Sequence, residues 1–155
     1  MTSLQVDILL VEDNTEDMEL TLHALRKENL ANNIHVARDG EEALEFLQSN
    51  EDSGARPPRL VLLDLKLPKV SGHQVLRAIK SDPRTRSIPV VVLTSSNQDR
   101  DLVECYQSGT NSYIQKPVDL QRFQETVRNF GMYWLKVNQP PPSEAFVCTG
   151  NGVKQ

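Results

Sequence analysis

The sequence predicts a doubly wound α/β domain, a five-stranded parallel sheet with five helices. Short apolar runs alternate with segments of helical periodicity along the chain. Two of those runs, Leu60-Val61-Leu62-Leu63 and Val90-Val91-Val92-Leu93, are continuous, as expected for strands buried on both faces. The length of 155 residues, 38% of them hydrophobic and 25% charged, suits one domain with a real core.

Val6 to Val11 reads as the first strand, followed by a helix on which Met18, Leu22 and Leu25 share a face. Ile34-His35-Val36-Ala37 alternates like a half-buried strand, and Ala43, Leu44 and Leu47 mark the helix after Asp39-Gly40. Ser49 to Arg59, with Gly54 and Pro57-Pro58, reads as a loop. Leu60 to Leu65 is the third strand, Val75, Leu76 and Ile79 mark the third helix, and Asp82-Pro83 lies in a loop from Ser81 to Ser87. Pro89 to Thr94 is the fourth strand. Leu102, Val103 and Tyr106 mark the fourth helix, with Gly109 as its stop. Ser112 to Lys116 is an edge-like fifth strand. Asp119 then caps a last helix on which Phe123, Val127, Phe130 and Trp134 recur at helical spacing. Residues 1–137 are expected to form the domain and 138–155, opening Asn138-Gln139-Pro140-Pro141-Pro142, an extended tail without an output domain.

Composition excludes several functions. The formal charge is −4 with no compensating Lys/Arg cluster, so nucleic acid is not an expected partner. No apolar run approaches the roughly 18 residues needed to span a bilayer, so no membrane role is expected. The amino terminus lacks a basic region and an apolar signal core, which leads to an expected cytoplasmic location. Cys105 and Cys148 fit two unpaired thiols of a reducing compartment. His23, His35 and His73 lack ligand spacing, so each is expected to be a surface or packing residue and no zinc site is implied.

The strand ends carry the chemistry. The first ends in Glu12-Asp13, the third in Asp64, the fourth in Thr94-Ser95-Ser96 and the fifth in Lys116-Pro117, and a doubly wound sheet brings these ends to one edge. Carboxylates gathered there repel by roughly 4 kcal/mol per close pair, which calls for a cation. Oxygen-only ligands favour Mg²⁺, which keeps several waters and takes one or two carboxylates plus phosphate oxygens. A carboxylate can then act as nucleophile toward phosphorus, and Asp64 is the central candidate. The Thr94 hydroxyl and the Lys116 ammonium can each bind a phosphoryl oxygen. The Lys116-Pro117 bond also admits a cis peptide that would aim the lysine.

Glu12-Asp13, Asp64 followed by Pro68 and Gly72, Thr94-Ser95, Tyr113 and Lys116-Pro117 together resemble the signature of response regulator receiver domains, over about residues 5 to 130. The resemblance implies the flavodoxin-like receiver fold and a single-domain regulator in a two-component phosphorelay. It implies that Asp64 accepts phosphate from a sensor histidine kinase. Asp13 and Asp64 would hold Mg²⁺ with the backbone carbonyl of Lys66, and Glu12 would assist through water. Thr94 and Tyr113 would form the switch. The domain would be a phosphoacceptor promoting its own phosphotransfer and autodephosphorylation rather than an enzyme.

The terminal Trp134 segment, the Pro-rich tail, the long loop before the third strand and Asp64-Leu65-Lys66-Leu67-Pro68-Lys69 look like regulators paired with phytochrome-type kinases. Glu12, where Asp is more usual in the family, and Lys66 are departures that could tune phosphoryl lifetime. The apolar density of Phe130 to Leu135 suggests either a helix docked on its own core or a homodimer face made by the fourth helix, fifth strand and last helix. A downstream protein target would bind the same surface.

Competing functions fare worse on the same residues. A haloacid-dehalogenase-type phosphatase needs a second acid where Lys66 stands, and a flavodoxin-like cofactor binder would have its anion repelled by Glu12-Asp13. A phosphorylation-independent pseudo-receiver acting as an interaction module is the remaining alternative, but none of the acids is missing.

Overall fold

The computed structural model describes residues 5–31 and 33–142, so the tail beyond Pro142, Cys148 included, lies outside the described residues. The elements follow as β1 (Ile8–Val11), α1 (Thr15–Lys27), β2 (Ile34–Ala37), α2 (Gly40–Asp52), β3 (Leu60–Leu63), α3 (Gly72–Ser81), β4 (Val90–Thr94), α4 (Asp99–Gln107), β5 (Ser112–Gln115) and α5 (Leu120–Met132). A π-helical turn (Tyr133–Val137) continues α5. The sheet order is β2-β1-β3-β4-β5, all pairs parallel. The winding therefore reverses between β1 and β3, and such a switch point opens a crevice at the carboxyl ends of the strands.

The continuous apolar strands β1, β3 and β4 are wholly buried, while β2 and β5 form the half-exposed edges. Alternate residues feed two cores. Leu9, Val11, Val61, Leu63, Val90 and Val92 pack under α2, α3 and α4, whereas Ile8, Leu10, Leu60, Leu62, Val91 and Leu93 pack under α1 and α5. Caps hold the helix starts that face the crevice. Asn14 accepts the Asp17 amide and Asp39 the Glu42 amide, while Ser71 and Gln74 form a reciprocal capping box at α3.

Three local expectations change. Helix α2 runs through Ser49 to Asp52, held by Arg84 on Glu51 at 2.8 Å and Gln48 on Asp52 at 3.1 Å, so the loop begins later than turn residues alone suggest. On α4 the apolar trio Leu102, Val103 and Tyr106 is exposed, at 37%, 52% and 53%, and Cys105 is the residue that enters the core. Helical spacing located this helix but chose the wrong face. Finally, no peptide bond among the described residues is cis, so Lys116-Pro117 is trans.

The widened turn after α5 rotates Leu135 into the core and leaves Trp134 half-buried against Tyr133, ring centroids 4.9 Å apart. Arg59 donates to the Leu135 carbonyl at 2.6 Å, satisfying one of the carbonyls orphaned at the helix end. Gly131 sits where a side chain would strike Leu30.

Candidate functional site at the sheet switch point

Four of the site residues are delivered by the ends of strands. Glu12 follows β1 and continues its ladder by donating its amide to the Ala37 carbonyl at 3.0 Å. Asp64 follows β3 and donates its amide to the Val11 carbonyl at 3.1 Å. Thr94 ends β4, and Lys116 follows β5, donating its amide to the Thr94 carbonyl at 2.7 Å. Ladder bonds that run one residue past the regular strands thus fix the roots of all four side chains. Glu12, Asp64 and Thr94 are buried, at 2%, 7% and 0% exposure.

The Lys116 ammonium is the hub. It lies 2.9 Å from Glu12 Oε1, 2.9 Å from Asp64 Oδ2 and 2.8 Å from Asp17 Oδ2. Burial alone would lower its pKa, but the hydrogen bond to Asp17 and the charges of Asp64 and Glu12 outweigh burial and raise it. Glu12 moves the other way for an acid: burial first, then the Asp64 charge, push it up to about 7, and Lys116 offsets only part of this. The site holds more negative charge than its one lysine neutralises.

Asp17 is a member that sequence reading missed. It sits three residues after the Asn14 cap, where an acid is expected merely to complement the helix dipole, so no signal set it apart. Asp13 behaves differently from its neighbour. Its side chain is exposed, outside the Lys116 ion-pair group, and its carbonyl accepts from Arg38 at 3.0 Å. Lys66 donates its amide to Asp64 Oδ1 at 3.3 Å, and its side chain is exposed.

Gly72 starts α3 hard against the acceptor loop. Its amide donates to the Leu65 carbonyl at 3.0 Å, and a Cβ there would collide with the Asp64 carbonyl oxygen and the Leu65 Cα. On the other side Thr94 Oγ1 accepts the Ser96 amide at 3.2 Å, and the Tyr113 hydroxyl donates to the Ser96 carbonyl at 3.3 Å. Both expected switch residues therefore meet at Ser96. Of the histidines, His23 is exposed, His35 stacks on Phe46 with centroids 4.1 Å apart, and His73 is largely buried beside Asp101.

The donor set fits a hard cation. The ligand atoms available are carboxylate and carbonyl oxygens, and a divalent ion would offset the Asp64 charge that, after burial, raises Glu12. Among the described residues no three His, Cys, Asp or Glu side chains are arranged to hold a metal by themselves. Mg²⁺ ordinarily keeps several waters and takes one or two carboxylates plus phosphate oxygens.

A doubly wound sheet whose switch point gathers buried acids, a hydroxyl and a lysine defines a receiver-type signalling domain. Residues 8–128 match the response regulator receiver domain family, and the chain belongs to it. It is 46% identical over 134 residues to the probable methanogenesis regulatory protein FilR2 of Methanothrix harundinacea, covering 86% of each chain. It is 38% identical over 130 residues to the response regulator Rcp1 of Synechocystis, covering 83% of this chain and 88% of that one. The Mn²⁺-bound structure of Rcp1 superposes with a TM-score of 0.82 at 36% identity, over 90% of this chain and 100% of that one. The phosphorylated cyanobacterial phytochrome response regulator RcpA gives 0.83 at 38% identity, over the same shares of 90% and 100%.

Proposed function

We propose that this receiver accepts a phosphoryl group on Asp64 from a sensor histidine kinase of the phytochrome type, in the cytoplasm, and that residues 1–137 make up the receiver unit. The observation carrying this reading is the buried contact of 2.9 Å between Asp64 Oδ2 and Lys116 Nζ at the switch point, beside Thr94. An Asp64 carboxylate oxygen attacks phosphorus and the P–N bond to the kinase histidine breaks. The imidazole nitrogen keeps the electron pair and takes up a proton, and Asp64 is left as an acyl phosphate.

Lys116 pairs with one phosphoryl oxygen and the Thr94 hydroxyl donates to another. Asp13, Asp64 and the Lys66 carbonyl would hold Mg²⁺, with Glu12 assisting through water; the bound ion supplies charge neutralisation to the transferring group. The Mn²⁺ in Rcp1 and the phosphoryl group in RcpA support both assignments. The receiver also promotes loss of its own phosphoryl group.

Thr94 and Tyr113 transmit the change to the face of α4, β5 and α5, where exposed Leu102, Val103 and Tyr106 await a downstream protein or a second copy of this chain. A phosphorylation-independent interaction module is not favoured, because acceptor, acids, hydroxyl and lysine all stand at one edge.

Intact-mass measurement after incubation with acetyl phosphate and Mg²⁺ tests the core of this. One phosphoryl adduct is expected, absent in Asp64→Ala and after chelation. No adduct from acetyl phosphate or from any histidine kinase would overturn it. Faster transfer from a phytochrome-type kinase than from an unrelated one supports the narrower donor.

A further inference from the structure

Beyond the phosphoacceptor group runs a second, continuous polar chain. Ser96 is buried, at 6% exposure. Its hydroxyl donates to Asp101 Oδ2 at 2.6 Å and accepts the Gln98 amide at 3.2 Å. Its amide is given to Thr94 Oγ1, and its carbonyl receives the Tyr113 hydroxyl. Every polar atom of Ser96 is engaged, so its position decides where Thr94 and Tyr113 point.

Asp101 sits in the first turn of α4, and its other oxygen meets His73 Nε2 at 3.0 Å. His73 follows Gly72, whose amide is tied to the acceptor loop at Leu65. Cys105 Sγ at 3.8 Å and Glu104 Oε2 at 3.6 Å stand at its other ring nitrogen, and Arg77 pairs with Glu104 at 2.8 Å. A connected path thus joins the loop carrying Asp64 to the loop carrying Thr94, through α3 and α4. At 2.6 Å the Ser96–Asp101 bond is of the short, charge-assisted kind.

We propose that Asp101 and His73 are positioning residues for phosphoryl transfer, acting through Ser96. They touch neither the acceptor nor the phosphoryl group. They hold Ser96 so that its amide occupies the Thr94 oxygen and leaves the Thr94 hydroxyl proton to be donated to a phosphoryl oxygen, while its carbonyl keeps Tyr113 turned inward. The inference rests on the receiver reading above.

The test measures the rate of Asp64 phosphorylation by acetyl phosphate with Mg²⁺ in the full chain, together with each variant's urea unfolding midpoint. Asp101→Leu and Ser96→Ala should each slow phosphorylation by about tenfold. The double variant should be no slower than either alone, because both cut one connection. Ser96→Thr, which keeps the hydroxyl, and His73→Gln, which keeps an N–H donor, should retain most of the rate, whereas His73→Leu should not.

Unchanged rates in Asp101→Leu, multiplicative losses in the double variant, or losses that simply follow the unfolding midpoints would each overturn the proposal. If the parent itself takes no phosphoryl group while it remains folded, the receiver reading fails first and this inference falls with it.

Discussion

Replacing Glu12 by Gln removes the one site acid whose ordinary pKa is displaced to about 7, and the consequence for the metal-free protein follows from linkage. The folded pKa is raised from 4.5, so the group contributes stability that is fully present below that value and is lost as pH rises through about 7. Moving from 4.5 to about 7 is worth up to about 3 kcal/mol in total. Between about pH 5.5 and about pH 8 the Glu12 share integrates to about 2 kcal/mol, with the folded state weaker at the higher pH. Gln keeps an oxygen for Lys116 but cannot titrate. Urea unfolding in chelator at the two pH values, parent against Glu12→Gln, should therefore show a parent difference about 2 kcal/mol larger than the variant's. The variant should also be the more stable of the two at the higher pH. Equal pH differences in the two proteins would refute the claim that burial and Asp64 hold Glu12 near neutrality.

Lys116→Met should act in the opposite sense, leaving Glu12 and Asp64 buried without their cation; a loss of about 3 kcal/mol at about pH 8 is expected in urea unfolding, shrinking at about pH 5.5. Gly72→Ala forces α3 away from the Asp64 carbonyl and should cost more than about 2 kcal/mol while lowering the yield of phosphoryl adduct by intact mass. Lys80 donates to the Arg86 and Ile88 carbonyls at 2.9 and 2.8 Å and to Asn111 Oδ1 at 3.0 Å. Lys80→Met should lower the unfolding free energy by about 2 kcal/mol with phosphorylation unchanged, since this tie lies at the opposite end of the strands.

What was legible in the sequence was what repeats or what strand ends must deliver. The continuous runs in β3 and β4 reveal themselves because a strand buried on both faces has no polar face to show. Glu12, Asp64, Thr94 and Lys116 were legible because a strand end and a side-chain type suffice to place them on one edge. Asp17 was not, because its local context already accounts for an acid in a first helical turn. Nor was the exposed trio of α4. Periodicity reports that residues share a face but not which face a neighbouring helix will cover, and α4 buries Cys105 instead. The pairing of His73 with Asp101 was invisible for a different reason: 28 positions separate them, and only the packing of α3 against α4 brings them together.

The site's cost in stability and its chemistry have one origin. Three carboxylates stand around one ammonium, and burial first, then the Asp64 charge, raise Glu12 toward neutrality. A divalent cation bound beside Glu12 and Asp64 would favour ionised Glu12, so titration with Mg²⁺ should release close to one proton at about pH 6 and progressively less well above pH 7. The arriving phosphoryl group then finds Lys116 already desolvated and poised, with little reorganisation left to perform.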